Sequence, residues 1–402
     1  MKTIVHFGAG NIGRSLIGYL FSQMGYRIVF VEKNLSLVNA MNTRKWYEIE
    51  IREKPIQRYR VENIECLSIE DKQNVVQQIA QADMLSTAVG APYLPSLFPV
   101  FKEGLERRQK PVNILICENV KNAATLLEEG LQRLGFHDFD RVGLVESSIE
   151  KIAPNVPEEA KKEDVLRTWA ERYSTIHVNR ERIRGELPDS PLIVPVADFE
   201  AYYERKIFVA NLSHTLTSVV GFLNGFQYIA EALHVQNIRA FVEAAAAEAC
   251  QAVAKKYPAL FKQQDRTAYV EQFLTRLANP LLKDSVYRGG RHIERKLQKG
   301  ERFLGPTLLY LESFHDVPQY LAKGIAGAFY FQAPDENGSV YQQDQEFQER
   351  LHTEGVENVL QAVCGISPEE EPGKTIIDEF NKGMTNFLTE NLNVTLNNVS
   401  SG

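Results

Sequence analysis

The feature that most constrains the fold of this chain is a glycine-rich turn close to its first residue. Residues 8–13 read Gly-Ala-Gly-Asn-Ile-Gly, which is the pattern G-x-G-x-x-G. The apolar run Ile4–Phe7 before the turn predicts a short strand, and apolar residues at helical spacing follow over Ile12–Met24. A strand, a glycine turn and a helix in this order are typical of an α/β domain that binds a dinucleotide.

The glycines and one acidic residue each have a physical role in such a site. Gly8 permits the tight turn, Gly10 lets the backbone approach a pyrophosphate, and Gly13 lets the helix pack close to the strand. Glu32 ends the second predicted strand, Arg27–Glu32, where a carboxylate accepts hydrogen bonds from the adenosine ribose. It would also repel a 2′-phosphate, so NAD is favoured over NADP, although the neighbouring Lys33 weakens this preference.

Small residues mark the carboxyl end of another predicted strand, Asp83–Val89. In a doubly wound sheet the ligand lies across the carboxyl ends of the strands, so small residues there would let a cofactor approach the backbone. A plain exit from strand to loop explains this segment equally well. The predicted cofactor-binding residues are Gly8, Ala9, Gly10, Asn11, Ile12, Gly13, Glu32, Thr87, Ala88 and Val89.

Strands and helices alternate through the first half of the chain, with further strands predicted at Val112–Cys117 and Gly143–Glu146. Such alternation implies parallel pairing, and right-handed crossovers then give a doubly wound, Rossmann-type sheet. From about residue 198 the helical period dominates, with helices predicted over Ile238–Tyr257, Ala268–Ala278, Leu308–Leu321 and Glu346–Val363. We therefore expect an α/β chain with a Rossmann-type domain at 1–195, a mostly helical substrate domain at 196–388 and a polar tail at 389–402.

Charge and cysteine content argue against several classes of protein. The net charge of −7 is opposite to the basic footprint of a nucleic-acid binder. We find no apolar run long enough for a membrane span and no signal peptide. The four cysteines are scattered, without the spacing of a zinc site, so we expect a cytoplasmic protein with no metal site.

A lysine, an asparagine and a histidine at 206, 211 and 214 form a candidate catalytic group. On a regular helix Lys206 and His214 lie about 80° apart, whereas Asn211 lies about 140° from Lys206 and so near the edge of that face. The apolar residues 207–210 predict burial, which lowers the pKa of a lysine and lets it accept a proton from an alcohol. Chance spacing of these three residue types remains the stronger explanation on spacing alone.

The chain resembles the long-chain polyol-specific dehydrogenases over most of its length. The resemblance rests on His6–Arg14 (HFGAGNIGR), Thr87–Gly90 (TAVG), Cys117–Asn119 (CEN), the run K-x4-N-x2-H at 206–214, and the Pro280–Lys283 and Gly290–Arg302 segments. It implies a metal-free hydride transfer with NAD, in which Lys206 is the general base. It also implies that Asn211 and Asn119 donate hydrogen bonds to the reacting oxygen, and that His214 contacts the substrate oxygen or holds the lysine.

A basic segment, Arg288–Arg302, stands out within this acidic chain. Arg291, Arg295 and Lys299 follow i, i+4 spacing if the segment is helical, and such a cluster can hold a phosphate monoester. A solvated basic helix face is the alternative explanation. The candidate phosphate-binding residues are Arg291, Arg295 and Lys296.

The resemblance implies an NAD-dependent enzyme that interconverts D-mannitol 1-phosphate and D-fructose 6-phosphate, and the glycine turn and the basic segment agree with this expectation. An oxidoreductase of the same superfamily that acts on unphosphorylated mannitol, fructuronate or tagaturonate is the main alternative. A regulatory protein that binds NAD without catalysis is a less favoured one. The sequence leaves open whether the protein is a monomer or a dimer.

Overall fold

The computed structural model describes residues 1–259 and 263–384 of the chain. The chain divides after Tyr202 into two compact units, each of which is described by itself. The first unit contains all the strands of both sheets, and the described part of the second is built from helices.

The first unit is organised around an eight-stranded sheet with the order β11-β10-β8-β7-β6-β1-β2-β5. Its strands pair in parallel, except that β10 runs antiparallel to β8. A smaller sheet has the order β4-β3-β9. The strands are β1 (Thr3–Phe7), β2 (Arg27–Glu32), β3 (Tyr47–Ile51), β4 (Gln57–Val61), β5 (Ile64–Ser68), β6 (Met84–Thr87), β7 (Val112–Ile116), β8 (Val142–Ile149), β9 (Thr168–Ala170), β10 (Ile176–Asn179) and β11 (Ile193–Val196).

Helices cover both faces of the large sheet, because its central strands are apolar on both sides. Val5 of β1 belongs to one buried cluster and Ile4 to the other, so successive side chains of the strand enter opposite cores. This architecture confirms the predicted doubly wound sheet. The helices of this unit, π and 3-10 turns included, are Gly13–Gly18, Tyr19–Gln23, Leu35–Arg44, Lys72–Gln81, Ala91–Leu97, Phe98–Glu106, Ala123–Arg133, Glu158–Glu163 and Arg180–Arg182.

Several strands were not predicted from the sequence. β3 and β4 form an antiparallel pair in which charged and apolar residues alternate, so neither has the continuous apolar run that marks the central strands. β11 is an edge strand, and this position tolerates Pro195, which cannot donate a ladder hydrogen bond.

The regular secondary structure described in the second unit is all helical, and loops connect the helices. Two helices predicted as continuous are each interrupted: one at His315, with φ 56°, and one at Gly355, with φ 81°. Left-handed or positive-φ residues end a helix, and the apolar spacing does not reveal them. The helical segments, beginning with the one that enters this unit from the first, are Phe199–Arg205, Lys206–Asn211, Leu212–Leu223, Ile229–His234, Gln236–Lys256, Gln263–Leu277, Pro280–Leu282, Val286–Gly290, Ile293–Leu297, Leu304–Phe314, Gln319–Ala328, Gln342–Glu354, Val356–Val359, Leu360–Cys364 and Gly373–Asn381.

The first three of these segments form one continuous helix, Phe199–Leu223, which carries the candidate catalytic group. By length and composition alone this helix could cross a membrane, contrary to the expectation that no run was long enough. Its most apolar stretch is 83% buried inside the protein, however, as is usual for a central helix of a globular core. Length and hydropathy are therefore weak evidence for a membrane span here.

Candidate active site

The glycine turn has the geometry that a phosphate-binding loop requires. Gly8 has φ 97°, and a Cβ placed on it would lie 2.5 Å from the carbonyl oxygen of Ala88. A Cβ on Gly13 would collide with the carbonyl oxygen of Gly8. A Cβ on Gly10 would meet nothing within 4 Å. Two glycines thus allow close packing, whereas the third leaves open space beside the backbone.

Glu32 holds this loop in place. One carboxylate oxygen accepts a hydrogen bond from the Ala9 amide at 2.8 Å, and the other accepts from the amides of Lys33 at 2.9 Å and Asn34 at 3.0 Å. The predicted ribose-binding carboxylate therefore also fixes the glycine turn. Each carboxylate oxygen has two lone pairs, so capacity remains for a ribose hydroxyl.

A second buried carboxylate, which the sequence analysis did not single out, organises the neighbouring loop. Glu118 accepts hydrogen bonds from the amides of Val89 at 2.9 Å and Gly90 at 2.8 Å. Burial raises the pKa of Glu118, and the two amides lower it in part. Glu118 lies in the Cys117–Asn119 segment, from which only Asn119 was predicted as a site residue. That asparagine is exposed just beyond the end of β7.

These loops border a cavity of about 680 Å³ in the first unit. The predicted cofactor residues Gly8, Gly10, Glu32, Ala88 and Val89 all line it. A cavity of this size is within the usual range for a small-molecule site. Its other walls come from β1, β2, the segment after β5 and the helices at 91–106; they are Phe7, Val31, Lys33, Ile69, Glu70, Lys72, Tyr93, Ser96, Leu97, Pro99, Val100 and Glu103.

Two of the predicted cofactor residues direct their side chains elsewhere. The amide nitrogen of Asn11 donates to the carbonyl of Pro154 and to the side-chain oxygen of Asn155, both at 3.1 Å. Ile12 packs against the hydrophobic core. These contacts leave the backbone N–H groups of the two residues as their expected contribution to a phosphate-binding loop.

His6 lies beneath the glycine turn and is fully buried. Its Nδ1 forms a hydrogen bond with the Ser86 hydroxyl at 2.7 Å, and a Cβ on Gly13 would approach its Nε2 to 2.6 Å. Burial lowers the pKa of His6 to about 3. The imidazole under the turn is therefore neutral over the physiological range.

In the second unit, the candidate catalytic group lies on a π-helical segment, Lys206–Asn211. Such a segment inserts a residue into the helix and shifts the phase of the later residues by roughly 100°. The shift brings Asn211 to roughly 40°, and His214 to within roughly 20°, of the direction of Lys206. The expectation that Asn211 lies at the edge of the face is therefore wrong, because it assumed a regular α-helix.

The environment of these residues suits ligand binding. Lys206 is only 7% exposed and lies among the buried residues Ile207–Ala210. The amide nitrogen of Asn211 is buried, and no hydrogen-bond acceptor for it occurs in the part of the chain that the structure describes. A buried donor without a protein partner calls for an explanation, and a ligand oxygen would supply one.

His214 forms a network with two residues that the sequence analysis did not assign. Its Nε2 lies 2.9 Å from a carboxylate oxygen of Asp284, and Arg288 forms a two-pronged ion pair with the same carboxylate. Burial lowers the pKa of His214. Burial alone would raise the pKa of Asp284, but Arg288 and His214 hold it well below its usual range.

Two cations are buried beside this network. Lys296 donates to the carbonyl of Gly289 at 2.6 Å, which also accepts from the Thr215 hydroxyl at 3.1 Å. Arg302 donates to that hydroxyl at 3.3 Å. Burial lowers the pKa of Lys296 strongly and that of Arg302 as well. Buried groups with strongly shifted pKa values cluster at functional sites, which makes these two residues candidates for ligand binding.

The other residues predicted to bind phosphate do not share one helical face. His292 adopts a left-handed conformation with φ 62°, so Arg291 ends one short helix and Arg295 lies in the next. Arg295 is exposed and pairs with Glu301 at 2.7 Å. The spacing rule assumed a continuous helix that does not form.

Comparison with known proteins identifies the family. Residues 2–190 match the mannitol dehydrogenase Rossmann domain, and residues 198–381 match the mannitol dehydrogenase C-terminal domain. The chain belongs to the mannitol dehydrogenase family. Its general activity is that of a polyol dehydrogenase, an oxidoreductase.

Curated relatives in this family are similar over nearly the whole chain. A mannitol-1-phosphate 5-dehydrogenase of Oceanobacillus iheyensis is 32% identical over 94% of this chain and 98% of its own length. The enzyme of the same name from Thermoanaerobacter pseudethanolicus is 32% identical over 94% of this chain and 97% of its own length.

Solved structures agree in fold. The ternary complex of Pseudomonas fluorescens mannitol 2-dehydrogenase with NAD and D-mannitol has a TM-score of 0.76 at 15% identity, covering 98% of this chain and 95% of that one. A substrate-free D-sorbitol dehydrogenase has a TM-score of 0.73 at 15% identity, covering 97% of this chain and 93% of that one. At this identity the similarity shows the fold alone.

Proposed function

We propose that the protein is an NAD-dependent polyol-phosphate dehydrogenase that interconverts D-mannitol 1-phosphate and D-fructose 6-phosphate. The observation that carries this proposal is the π-helical segment Lys206–Asn211 with its buried lysine. The helical phase of this segment supports a common direction for Lys206, Asn211 and His214. The names of the curated relatives support the phosphorylated substrate.

The residues of the first unit fit NAD. Gly10 leaves open space for a pyrophosphate, and the cavity of about 680 Å³ extends from the glycine turn past Glu32. The carboxylate of Glu32 favours ribose hydroxyls over a 2′-phosphate, because a phosphate would bring a second negative charge to it. When bound, NAD supplies a hydride acceptor to the reaction.

Lys206 is the proposed proton acceptor. Burial disfavours the charged form of an amine, and a neutral amine can take the proton of an alcohol. Asn211, whose amide nitrogen lacks an acceptor within the described part of the chain, would donate a hydrogen bond to the oxygen on which negative charge develops. Asn119 is the proposed second donor.

Lys296 and Arg302 are the residues that we favour for the substrate phosphate, together with Arg291. Lys296 and Arg302 are buried next to His214 through Thr215 and Gly289, so water screens them little. The exposed Arg295 is a weaker candidate, because its charge is already paired with Glu301.

The direct test is reduction of NAD by mannitol 1-phosphate beside unphosphorylated mannitol, with NADP as a second cofactor. We expect turnover with the phosphorylated polyol and NAD, and a kcat/KM with mannitol that is lower by on the order of 100-fold, because the buried cations then have no phosphate to bind. Equal or greater turnover of mannitol would overturn the phosphate assignment. Tight NADH binding without hydride transfer to any polyol would overturn the catalytic one.

A further inference from the structure

The hydrogen bonds around Asp284 determine which nitrogen of His214 carries a proton. Asp284 is 3% exposed, and Arg288 Nε donates to one of its oxygens at 2.6 Å, while Arg288 Nη2 donates to the other. His214 Nε2 lies 2.9 Å from that second oxygen. With a guanidinium bound to both of its oxygens, the carboxylate is ionised and can only accept hydrogen bonds.

The proton of a neutral His214 must therefore be on Nε2. A bare Nε2 would point its lone pair at a carboxylate oxygen 2.9 Å away, which is repulsive. The contact of Nε2 with Arg288 Nη2 is longer, at 3.5 Å, and Arg288 is already bound to Asp284. Burial lowers the pKa of His214, and the positive charges of Arg288 and Lys296 lower it further, whereas Asp284 raises it in part. The net lowering of the pKa opposes a doubly protonated ring.

This arrangement leaves Nδ1 as the acceptor. Within residues 1–259 and 263–384, no hydrogen bond to Nδ1 of His214 is formed. The side chain is 17% exposed, so the ring is accessible to a small ligand. After the phase shift of the π segment, His214 lies on the same helix face as Lys206 and Asn211.

We propose that Asp284, held by Arg288, is a positioning residue that fixes His214 as the Nε2–H tautomer, so that Nδ1 accepts a hydrogen bond from a substrate hydroxyl. This inference rests on the proposed function and adds to it a determinant of substrate specificity. The face then contains Asn211 to donate to the reacting oxygen and His214 to accept from a hydroxyl. A substrate with adjacent hydroxyl groups would satisfy both.

Gly289 makes this contact possible. A Cβ there would collide with the Ser218 hydroxyl and lie 3.2 Å from His214 Nε2. The glycine therefore lets the short helix Val286–Gly290, which carries Arg288, approach the helix that carries His214. A side chain at this position would separate the two.

The first experiment measures the tautomer directly, by ¹⁵N NMR of histidine-labelled full-length protein near neutral pH, with His214→Asn to assign the signals. We expect the Nε2–H pattern at His214 in the wild-type protein without any substrate. An Nδ1–H pattern, or the pattern of a doubly protonated ring, would overturn the proposal. This measurement on the wild-type protein does not depend on whether a variant of Asp284 folds.

The second experiment is Asp284→Asn. In this variant Arg288 would keep its hydrogen bond to the side-chain amide oxygen, and the NH2 group would face His214 Nε2. Because the NH2 group is a donor, Nε2 would become the acceptor, and the Nδ1–H tautomer would be favoured. We expect the ¹⁵N pattern to change accordingly and kcat/KM for mannitol 1-phosphate to fall on the order of 100-fold, with NAD affinity unchanged. Wild-type turnover in a folded Asp284→Asn protein would contradict the proposal.

A matched control is Glu248→Gln, which changes another partly buried carboxylate of the second unit, one that accepts from the amides of Tyr320 and Leu321. We expect this variant to keep the tautomer and the turnover of the wild type.

The proposed function and the inference about His214 fail in different ways. An Nε2–H ring in a protein that oxidises no polyol contradicts the proposed function, whereas an active, Lys206-dependent enzyme with the other tautomer contradicts the inference.

Discussion

The two units carry candidate binding groups that are built in different ways. In the first unit, the glycine turn and the loop after β6 present backbone N–H groups, and the carboxylates of Glu32 and Glu118 accept hydrogen bonds from amides of these loops. In the second unit, the proposed ligand-binding groups are side chains, and they are positioned by segments 70 residues apart, such as those of His214 and Asp284. The groups of the first unit depend on local backbone shape, and those of the second depend on tertiary packing.

This difference predicts different responses to substitution. A change in the glycine loop should alter cofactor binding or folding, whereas a change in the second unit should alter turnover without altering cofactor binding. Substitutions in both units test this division, and the largest effect is expected at Lys206.

Lys206→Ala should lower kcat by roughly 1,000-fold, because it removes the proposed proton acceptor. The dissociation constant of NAD, measured by fluorescence quenching or calorimetry, should change less than about twofold if the first unit alone holds the cofactor. Lys255→Ala, at an exposed position of the same unit, is the matched control. Near-normal turnover in Lys206→Ala would remove the lysine from the mechanism.

Gly10→Ala should weaken NAD binding by roughly 10- to 100-fold while leaving the free energy of unfolding nearly unchanged. A Cβ at Gly10 meets no protein atom within 4 Å, so it would enter the space expected for the pyrophosphate. Gly13→Ala is the counterpart, since its Cβ collides with the Gly8 carbonyl. It should destabilise the protein by roughly 1–3 kcal/mol. If both variants bind NAD like the wild type, the loop does not hold the cofactor.

Acid should destabilise the first unit through His6. The unfolded chain binds a proton at His6 below its ordinary pKa of 6.5, whereas the folded protein does so only near pH 3. The free energy of unfolding should therefore fall as the pH drops through this window, by about 2 kcal/mol at about pH 5 from this residue. Urea unfolding of the wild type and of His6→Gln at neutral pH and at about pH 5 measures the effect. An equal pH dependence in both proteins would show that His6 contributes nothing to it.

The phosphate contacts should give the smallest effects. Lys296→Ala should raise KM for mannitol 1-phosphate by roughly tenfold, because a buried cation is screened little. Arg295→Ala should change KM less than about threefold, since the side chain is exposed and ion-paired. A larger increase in KM for Arg295→Ala than for Lys296→Ala would indicate that the phosphate binds at the exposed Arg295 instead.

Part of this architecture could be predicted because the signal is local. The strand Arg27–Glu32 was predicted with the bounds that β2 has, and the strand, glycine turn and following helix were placed correctly. Buried parallel strands are short apolar runs, and the conformations of glycine are set by its own backbone. The charged strands β3 and β4 lacked such a run and were not predicted.

The second half of the site could be predicted only in part. Lys206, Asn211 and His214 were predicted from the resemblance and their spacing, but the assumption of a regular helix placed Asn211 near the edge of the face. Asp284 was not predicted, because nothing local links it to a histidine 70 positions earlier.

Local sequence patterns were enough to predict the doubly wound sheet, the glycine turn and the residue types available for catalysis, since each depends on neighbours a few positions apart. Three features required the folded structure: the face on which Asn211 lies, the burial of Lys296 and Arg302, and the pairing of His214 with Asp284. The reason is that helix phase, burial and charge pairing are set by packing between segments that are distant in the chain.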